Sequence, residues 1–346
     1  MPSVVATILL CLFVSSAWAQ DASPRRLATP ESLSLESALE EVLEVDSAVV
    51  TARANLVSAE RERMRVRADP LALRLLQLRT ENALDNARAA LRIQQWNARS
   101  QAAEAYFKAL EADADLELRL LQRQQASIRY EANRIRFEAG AITQLELEAS
   151  SNAFTASQRA RIEAEEARDL AYQELTSLLG RDHTPLQLQA LETLPAVPAL
   201  NNLSARLEQN QQLRSAEQAL DIARIEYEQA NNAFVARAVT QERLDAFERA
   251  RLRIPELRRE LSLSLRQRYN ALLLAQGRLA GEEEALRAAQ EQLHAEQLRF
   301  DAGAISVLEL EQARFAYAEQ YRALSLARHS IYRAWLSVEQ TVLGSP

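Results

Sequence analysis

The chain has 346 residues, of which 48% are hydrophobic, so it is long enough to bury a large core. It has only six glycines and 5% aromatic residues beside abundant alanine, leucine, glutamate, arginine and glutamine, a mixture typical of long helices and coiled coils. The 41 basic and 48 acidic residues are interspersed, to a net charge of −7, and form no basic stripe of the kind that indicates a nucleic-acid partner.

The first residues are typical of an export signal. Residues 4–14 form an apolar run that is too short to span a bilayer as a helix, and Ala17, Trp18 and Ala19 form a small-x-small cleavage site. We therefore predict a signal peptide over 1–19, with a short membrane anchor as the alternative. The only cysteine, Cys11, lies inside this signal, so the exported chain is expected to use no disulfide.

Prolines and glycines then divide the chain into long segments with helical periodicity. The segments are 33–68, 71–139, 141–179, 203–253, 256–302 and 304–343. In the first half, the two shorter segments placed end to end are slightly longer than the long one, so together they are expected to cover it. Pro255 falls later in the second half than Pro70 does in the first, so the second half need not be as symmetric.

One motif of nineteen residues occurs twice, 163 residues apart. It is RFEAGAITQLELEASSNAF at 136–154 and RFDAGAISVLELEQARFAY at 299–317, with eleven positions identical. Leu-Gly pairs at 179–180 and 343–344 repeat at nearly the same offset, so we predict two complete halves of one architecture. The predicted divisions are an N-terminal extension at 20–32, a first helical repeat at 33–180, a proline-containing linker at 181–202 and a second helical repeat at 203–344.

The helices that flank each glycine have the spacing of coiled coils. Large residues recur every seven positions before the glycines, at Leu116, Arg123, Tyr130 and Phe137, and at Leu279, Leu286, Leu293 and Phe300. Alanines spaced by three and four follow, at Ala149, Ala153, Ala156, Ala160, Ala164, Ala167 and Ala171, and at Ala313, Ala316, Ala323, Ala327 and Ala334. This pattern predicts antiparallel helix pairs in which large side chains pack into shallow alanine surfaces.

Each glycine turn has the residues of a helix reversal. Glycine permits a positive φ and the close approach of another backbone. Thr143 and Ser306 can cap the following helix with their hydroxyls. Ile142 and Ile305 are apolar residues at an expected exposed bend, where they can anchor a partner's hydrophobic side chain. One copy of the turn can be a plain connector, but two nearly identical copies favour a shared binding task.

This duplicated pattern of long helix, Gly-x-x-Ser/Thr turn and alanine-rich helix ending in Leu-Gly resembles the TolC-type outer-membrane efflux factors. The resemblance rests on residues 136–143 and 299–306, the Leu-Glu-Leu triplets that follow them, and the stretch SLSLESALEEVL at 32–43. It implies a homotrimer in which each protomer adds two helical hairpins to a twelve-helix tunnel. It also implies that the turns bind a periplasmic adaptor protein, and through it an inner-membrane pump. The implied adaptor-binding residues are Gly140, Ala141, Ile142, Thr143, Gly303, Ala304, Ile305 and Ser306.

The sequence departs from that family at one point. Its members insert a β-hairpin near the helix boundary in each half, to build an outer-membrane barrel. The stretches around Pro70 and Pro255 lack the alternation, β-branched enrichment and glycine turns of such hairpins. The predicted fold class is therefore all-α, with long antiparallel hairpins in two tandem repeats and the barrel strands missing or vestigial.

No residues point to catalysis. His183, His294 and His329 are scattered without metal-ligand spacing, and the last two are expected on solvated helix faces. No phosphate-binding loop, nucleophile elbow or dinucleotide motif occurs, so we expect no enzyme activity, no metal and no cofactor.

Two functions stay open at this stage. The first is a TolC-like export component, associated with the outer membrane from the periplasmic side, that carries small molecules or proteins. The second is a structural periplasmic spacer, or envelope-organising protein, without transport. A third, the adaptor itself, is disfavoured because no segment has the strand pattern of its barrel and lipoyl-like domains.

Overall fold

A computed structural model of the chain describes residues 31–181 and 186–344, nearly all of which lie in long helices. The expected signal peptide, residues 20–30 of the extension and His183 lie outside the described residues. The elements in chain order are β1 (Glu31–Leu33), α1 (Leu35–Val45), α2 (Ser47–Ala68), α3 (Arg74–Glu138), α4 (Gln144–Leu178), β2 (Leu186–Leu188), α5 (Leu200–Leu207), α6 (Gln211–Ala230), α7 (Arg237–Asp301) and α8 (Val307–Leu343).

Two helices of equal length form the frame of the molecule. Helices α3 and α7 each contain 65 residues, which corresponds to about 98 Å at the usual rise per residue. Helices α2 and α4 pack end to end along α3, and α6 and α8 pack in the same way along α7, while α3 also contacts α8. The predicted all-α fold of long antiparallel hairpins is confirmed. The equal lengths support the predicted repeat.

The expected break at Pro255 is wrong, because α7 continues through this residue. The proline removes one backbone hydrogen bond from the helix. However, Leu257, Leu261 and Leu265 are buried directly after it and hold the next turns of α7 in the core. The second half instead breaks at residues 231–236, so its helices match those of the first half.

Two predicted segments are split near their starts by capping residues. The segment expected at 33–68 is divided into α1 and α2, which begin at Leu35 and Ser47, because the Asp46 carboxylate accepts a hydrogen bond from the Val49 amide, 2.8 Å away, and caps α2. The segment expected at 203–253 belongs to α5, α6 and the beginning of α7. Buried Asn210 separates α5 from α6, with its side-chain oxygen 2.8 Å from the Gln212 amide.

The core lies around the middle of the long helices. Strands β1 and β2 pair in parallel there, with Leu33 opposite Leu188. The hydroxyl of fully buried Tyr106, on α3, lies 2.8 Å from the Leu33 carbonyl and 2.7 Å from the Gln189 carbonyl. Burial raises the pKa of Tyr106 to about 12, so the hydroxyl remains a hydrogen-bond donor that fixes both strands to α3.

The alanine pattern of α4 forms the predicted packing surface only in part. Ala164 and Ala171 are buried against the rest of the chain, whereas Ala149, Ala156 and Ala167 are exposed. The face of α4 towards α3 instead carries larger residues, among them Phe154, which stacks on Tyr130 with ring centroids 6.0 Å apart. The alanines therefore lie on two faces of α4, one buried within the chain and one exposed on its surface.

The strand hairpins were expected to be missing around Pro70 and Pro255. Pro70 lies in a short turn between two helices, whereas Pro255 lies inside α7 and the equivalent turn of the second half comes earlier in the chain. Residues 69–73 join α2 to α3, and residues 231–236 join α6 to α7. None of the helices in the described part of the chain combines the length and the apolarity needed to cross a membrane.

Candidate functional site

The two glycine turns have the same backbone geometry. Gly140 and Gly303 have φ angles of 72° and 71°. In the first turn, the Gly140 amide donates to the Phe137 carbonyl at 2.9 Å and the Ala141 amide to the Arg136 carbonyl at 2.8 Å. The equivalent bonds of the second turn are both 2.8 Å long. This is the Schellman arrangement, which ends a helix sharply because glycine adopts the left-handed conformation without a Cβ clash.

A capping box begins the helix after each turn. The Glu146 amide donates to the Thr143 hydroxyl oxygen at 3.3 Å, and the Thr143 amide donates to the Glu146 carboxylate at 2.8 Å. Ser306 and Glu309 form the same pair at 3.3 and 2.8 Å. The predicted capping by both hydroxyls is therefore present. The backbone amides that donate to Glu146 and Glu309 lower the pKa of each carboxyl below its ordinary value of 4.5.

The surface of each turn is open on one side. A Cβ added at Gly140 or Gly303 would meet no heavy atom within 4 Å. Ala141 and Ala304 are exposed. Ile142 and Ile305 were expected on the exposed bend, but both are half-buried, so each turn presents an apolar edge and not a projecting side chain.

Both turns lie at the same end of the molecule. Helices α3 and α8 run antiparallel, since Gln125 donates to the Glu311 carbonyl at 2.8 Å while Asp115 lies 3.7 Å from Arg322. If this pairing is continued along both helices, the first turn projects about 10 Å beyond the second. The structure thus groups the eight predicted residues into two separate, similarly oriented turns.

A polar cluster that is not evident from the sequence lies between α3 and α8. His329 was expected on a solvated face but is only 2% exposed, and its ring stacks on Phe107 with centroids 4.5 Å apart. Its Nδ1 lies 2.9 Å from a carboxylate oxygen of Glu111, to which Arg333 also donates at 2.9 Å. Burial raises the pKa of Glu111, but these two hydrogen bonds outweigh it, so the pKa of this carboxyl is lowered. Glu111 and His329 are 218 positions apart in the sequence, so no local motif predicts their contact.

The cluster belongs to the packing of the fold. Its members lie between α3 and α8, far along α3 from the glycine turns. Across residues 31–181 and 186–344, no three histidine, cysteine or acidic residues are grouped so that they could hold a metal ion. The glycine turns therefore remain the candidate site.

Comparison with known proteins gives a short match in sequence. The chain is similar to AprF, an alkaline protease secretion protein of Pseudomonas aeruginosa, with 32% identity over 143 residues. These residues are 39% of this chain and 29% of AprF, so the match spans less than a third of that relative's length. The chain matches no protein-family model.

Comparison with solved structures covers nearly the whole chain. The CmeC outer-membrane channel of Campylobacter jejuni has a TM-score of 0.65 at 11% identity, over 90% of this chain and 85% of CmeC. The MtrE outer-membrane channel of Neisseria gonorrhoeae scores 0.60 at 16% identity, over 90% and 88%. The outer-membrane protein VceC of Vibrio cholerae scores 0.59 at 13% identity, over 90% and 96%. The chain therefore has the helical fold of the TolC-type outer-membrane channels, and the resemblance inferred from its glycine turns is confirmed.

Proposed function

We propose that this chain forms the helical tunnel of an exporter, as a homotrimer, and that its glycine turns bind a periplasmic adaptor protein. The observation that carries the proposal is the pair of open, identically built turns at one end of a channel-type fold. The chain acts from the periplasmic side of the outer membrane, where the adaptor connects it to an inner-membrane pump. The likeness to AprF favours a secreted protein as cargo, beside the small molecules that efflux channels carry.

An outward stripe of leucines on α7 supports the trimer. Leu252, Leu263 and Leu274 are 67%, 60% and 66% exposed and follow each other at intervals of eleven residues. Eleven residues make almost exactly three helical turns, so the three side chains lie along one line of the helix over about 33 Å. Isolated apolar side chains are common on protein surfaces, but an aligned stripe favours another helix as its partner. We infer that a second copy of the chain covers this leucine stripe.

The shape of the turns supports adaptor binding. Glycine and alanine at the bend let another helical hairpin approach the backbone closely, and the half-buried Ile142 and Ile305 give it an apolar contact. The rigid Schellman and capping bonds hold this surface in place before a partner arrives, which reduces the entropy that binding costs.

The test is photo-crosslinking in living cells of the native host. A photoreactive amino acid replaces Ala141 or Ala304 in the turns and, as matched controls, Ala132 or Ala295, which are exposed on the same helices eight or nine residues before the turns. We expect the turn positions to give a crosslinked product that mass spectrometry identifies as an adaptor with a helical hairpin. The control positions should give at least tenfold less of it.

Equal crosslinking from the turn and control positions would contradict adaptor binding by the turns. A trimer whose turns crosslink to no second protein would instead support the structural spacer.

A further inference from the structure

The end of the molecule opposite the glycine turns is formed by two other turns, residues 69–73 and 231–236. Two ion pairs hold the helices behind them side by side. Glu226 of α6 lies 2.8 Å from Arg79 of α3 and 2.8 Å from Arg243 of α7. The two turns therefore form one surface, which we call the distal tip.

Both turns of the distal tip are built in the same way. The Asp69 carboxylate accepts a hydrogen bond from the Leu71 amide at 2.9 Å, and the Asn232 side-chain oxygen accepts one from the Phe234 amide at 2.9 Å. The two bonds are 163 residues apart, which is the offset of the glycine turns. Leu71 and Phe234 are thus held at equivalent positions of two equivalent turns, one in each half of the chain.

The apolar side chains of the distal tip are almost fully in water. Phe234 is 99% exposed, Leu71 is 86% exposed and Leu73 is 75% exposed. Such exposure of large apolar groups indicates an interaction surface. A neighbour that packs along the helices covers their sides and not their ends. The partner of these three residues is therefore expected beyond the ends of the helices.

Arginines surround the apolar residues. Arg67 lies in the last turn of α2, Arg74 begins α3 and Arg237 begins α7, so each lies within about one helical turn of the distal tip. All three are exposed, and among the described residues no carboxylate forms an ion pair with them. The order of these groups fits a lipid leaflet. The apolar residues at the apex would reach the acyl chains, and the guanidinium groups behind them would lie at the level of the phosphates.

We propose that the distal tip is a membrane-docking surface that binds an anionic phospholipid leaflet. Leu71, Leu73 and Phe234 enter the boundary between head groups and acyl chains, and the three arginines contact lipid phosphates. The expected depth is about 5–10 Å, because the turns are short and their helices carry charge directly behind them. This inference concerns the end of the molecule that the proposed adaptor contact does not use, so either can fail without the other.

The experiment is vesicle flotation with the full chain, exported and processed by the producing cell. The probes are protein-free vesicles with one quarter phosphatidylglycerol in phosphatidylethanolamine. The tested variant carries Leu71→Ser, Leu73→Ser and Phe234→Ser. We expect the wild-type chain to float with the vesicles and this variant to lose at least tenfold in partitioning, since the three groups supply the apolar contact.

A matched variant controls for the general loss of exposed apolar surface. It carries Ile135→Ser, Leu145→Ser and Leu298→Ser near the glycine turns, where the side chains are 62%, 74% and 57% exposed. This control should float like the wild-type chain. Because all six residues are largely exposed, circular dichroism should show equal helicity and thermal stability for both variants. Wild-type protein that stays unbound, or a tip variant that floats normally, would overturn the proposal.

A fluorescent label distinguishes lipid from protein partners. The sequence has no cysteine after Cys11, so Phe234→Cys and, as control, Ala141→Cys can each carry one environment-sensitive dye. The label at 234 should shift to the blue with protein-free vesicles, and the label at 141 should not. A shift that needs native membrane proteins, or that follows protein concentration without vesicles, would assign the distal tip to a protein partner or to a second copy and overturn the lipid assignment.

The arginines are tested separately. Arg67→Gln, Arg74→Gln and Arg237→Gln together should lower partitioning into phosphatidylglycerol vesicles by at least tenfold at low salt, and the difference should shrink at 0.5 M salt. If this variant binds the anionic vesicles as the wild-type chain does at low salt, the phosphate contacts are wrong.

Discussion

Gly140 and Gly303 show how much one residue decides at the two helix reversals. Each has a positive φ, and each would have free space around an added Cβ, so the backbone conformation and not crowding requires glycine there. Gly277, inside α7, also has free space around an added Cβ but no positive φ. The backbone conformation therefore requires glycine at positions 140 and 303, whereas neither conformation nor crowding requires it at 277.

We predict opposite effects for the same substitution at these positions. Gly140→Ala should lower the free energy of unfolding by about 1–2 kcal/mol, because alanine is strained in the left-handed region. Gly277→Ala should raise it by about 0.5–1 kcal/mol, because alanine favours the helix. Urea denaturation followed by circular dichroism measures both. A destabilised Gly277→Ala variant would show that α7 needs its glycine for contact with another chain.

His329 shows the limit of residue-level reasoning from the sequence. From the sequence, this single histidine was expected on a solvated helix face. In the structure it contacts Phe107 and Glu111 of α3, which are more than 200 positions away in the chain. Only the pairing of α3 with α8 brings a carboxylate and a ring to this imidazole. The burial of His329 was therefore not predictable from its own helix.

At the scale of elements, α7 illustrates how packing overrides a local signal. Proline lacks an amide hydrogen, so the Arg251 carbonyl loses its usual partner at Pro255. The helix nevertheless continues, because the buried leucines that follow fix its direction against α8 and α5. The equal lengths of α3 and α7 result from this continuity. Each half can therefore pack two shorter helices end to end along one long helix.

We predict that Pro255→Ala stabilises the protein. Pro255 is exposed, so its removal costs no core packing, and the new amide can complete the helix ladder. The free energy of unfolding should rise by about 1–3 kcal/mol. Pro70→Ala is the matched control, because Pro70 is the second residue of the turn in which the Ala72 amide donates to the Asp69 carbonyl at 3.2 Å. There alanine should lower stability by about 0.5–1 kcal/mol. Equal effects at both sites would contradict this account.

At the scale of the whole molecule, the fold leaves aligned apolar surface without a partner inside the chain. The leucine stripe on α7 and the exposed alanines of α4 are two such surfaces. Both lie on the sides of the helices, where a second copy can pack, whereas the apolar residues of the distal tip lie at helix ends. We therefore expect different partners for the two kinds of surface.

We predict that the leucine stripe is needed for the trimer. Leu263→Glu with Leu274→Glu should convert trimers to monomers, because packing against the neighbouring copy would bury unpaired carboxylates in an apolar surface. Native mass spectrometry of the purified chain measures the change. Glu260→Leu with Arg266→Leu, both at exposed positions of the same helix, is the control and should leave the mass unchanged. If the wild-type chain is a monomer, or if the glutamate variant stays trimeric, the stripe has another role.

The sequence by itself determined the long helices, the two glycine turns and the capping hydroxyls of Thr143 and Ser306, because these depend on neighbours within a few positions. It also gave the resemblance to the TolC-type channels, through a motif that is local and occurs twice. Only the tertiary structure decided that Pro255 stays inside a helix, that His329 is buried, and which alanines of α4 remain exposed. Those outcomes depend on contacts between helices that are distant in sequence, where the energy of packing exceeds any local preference.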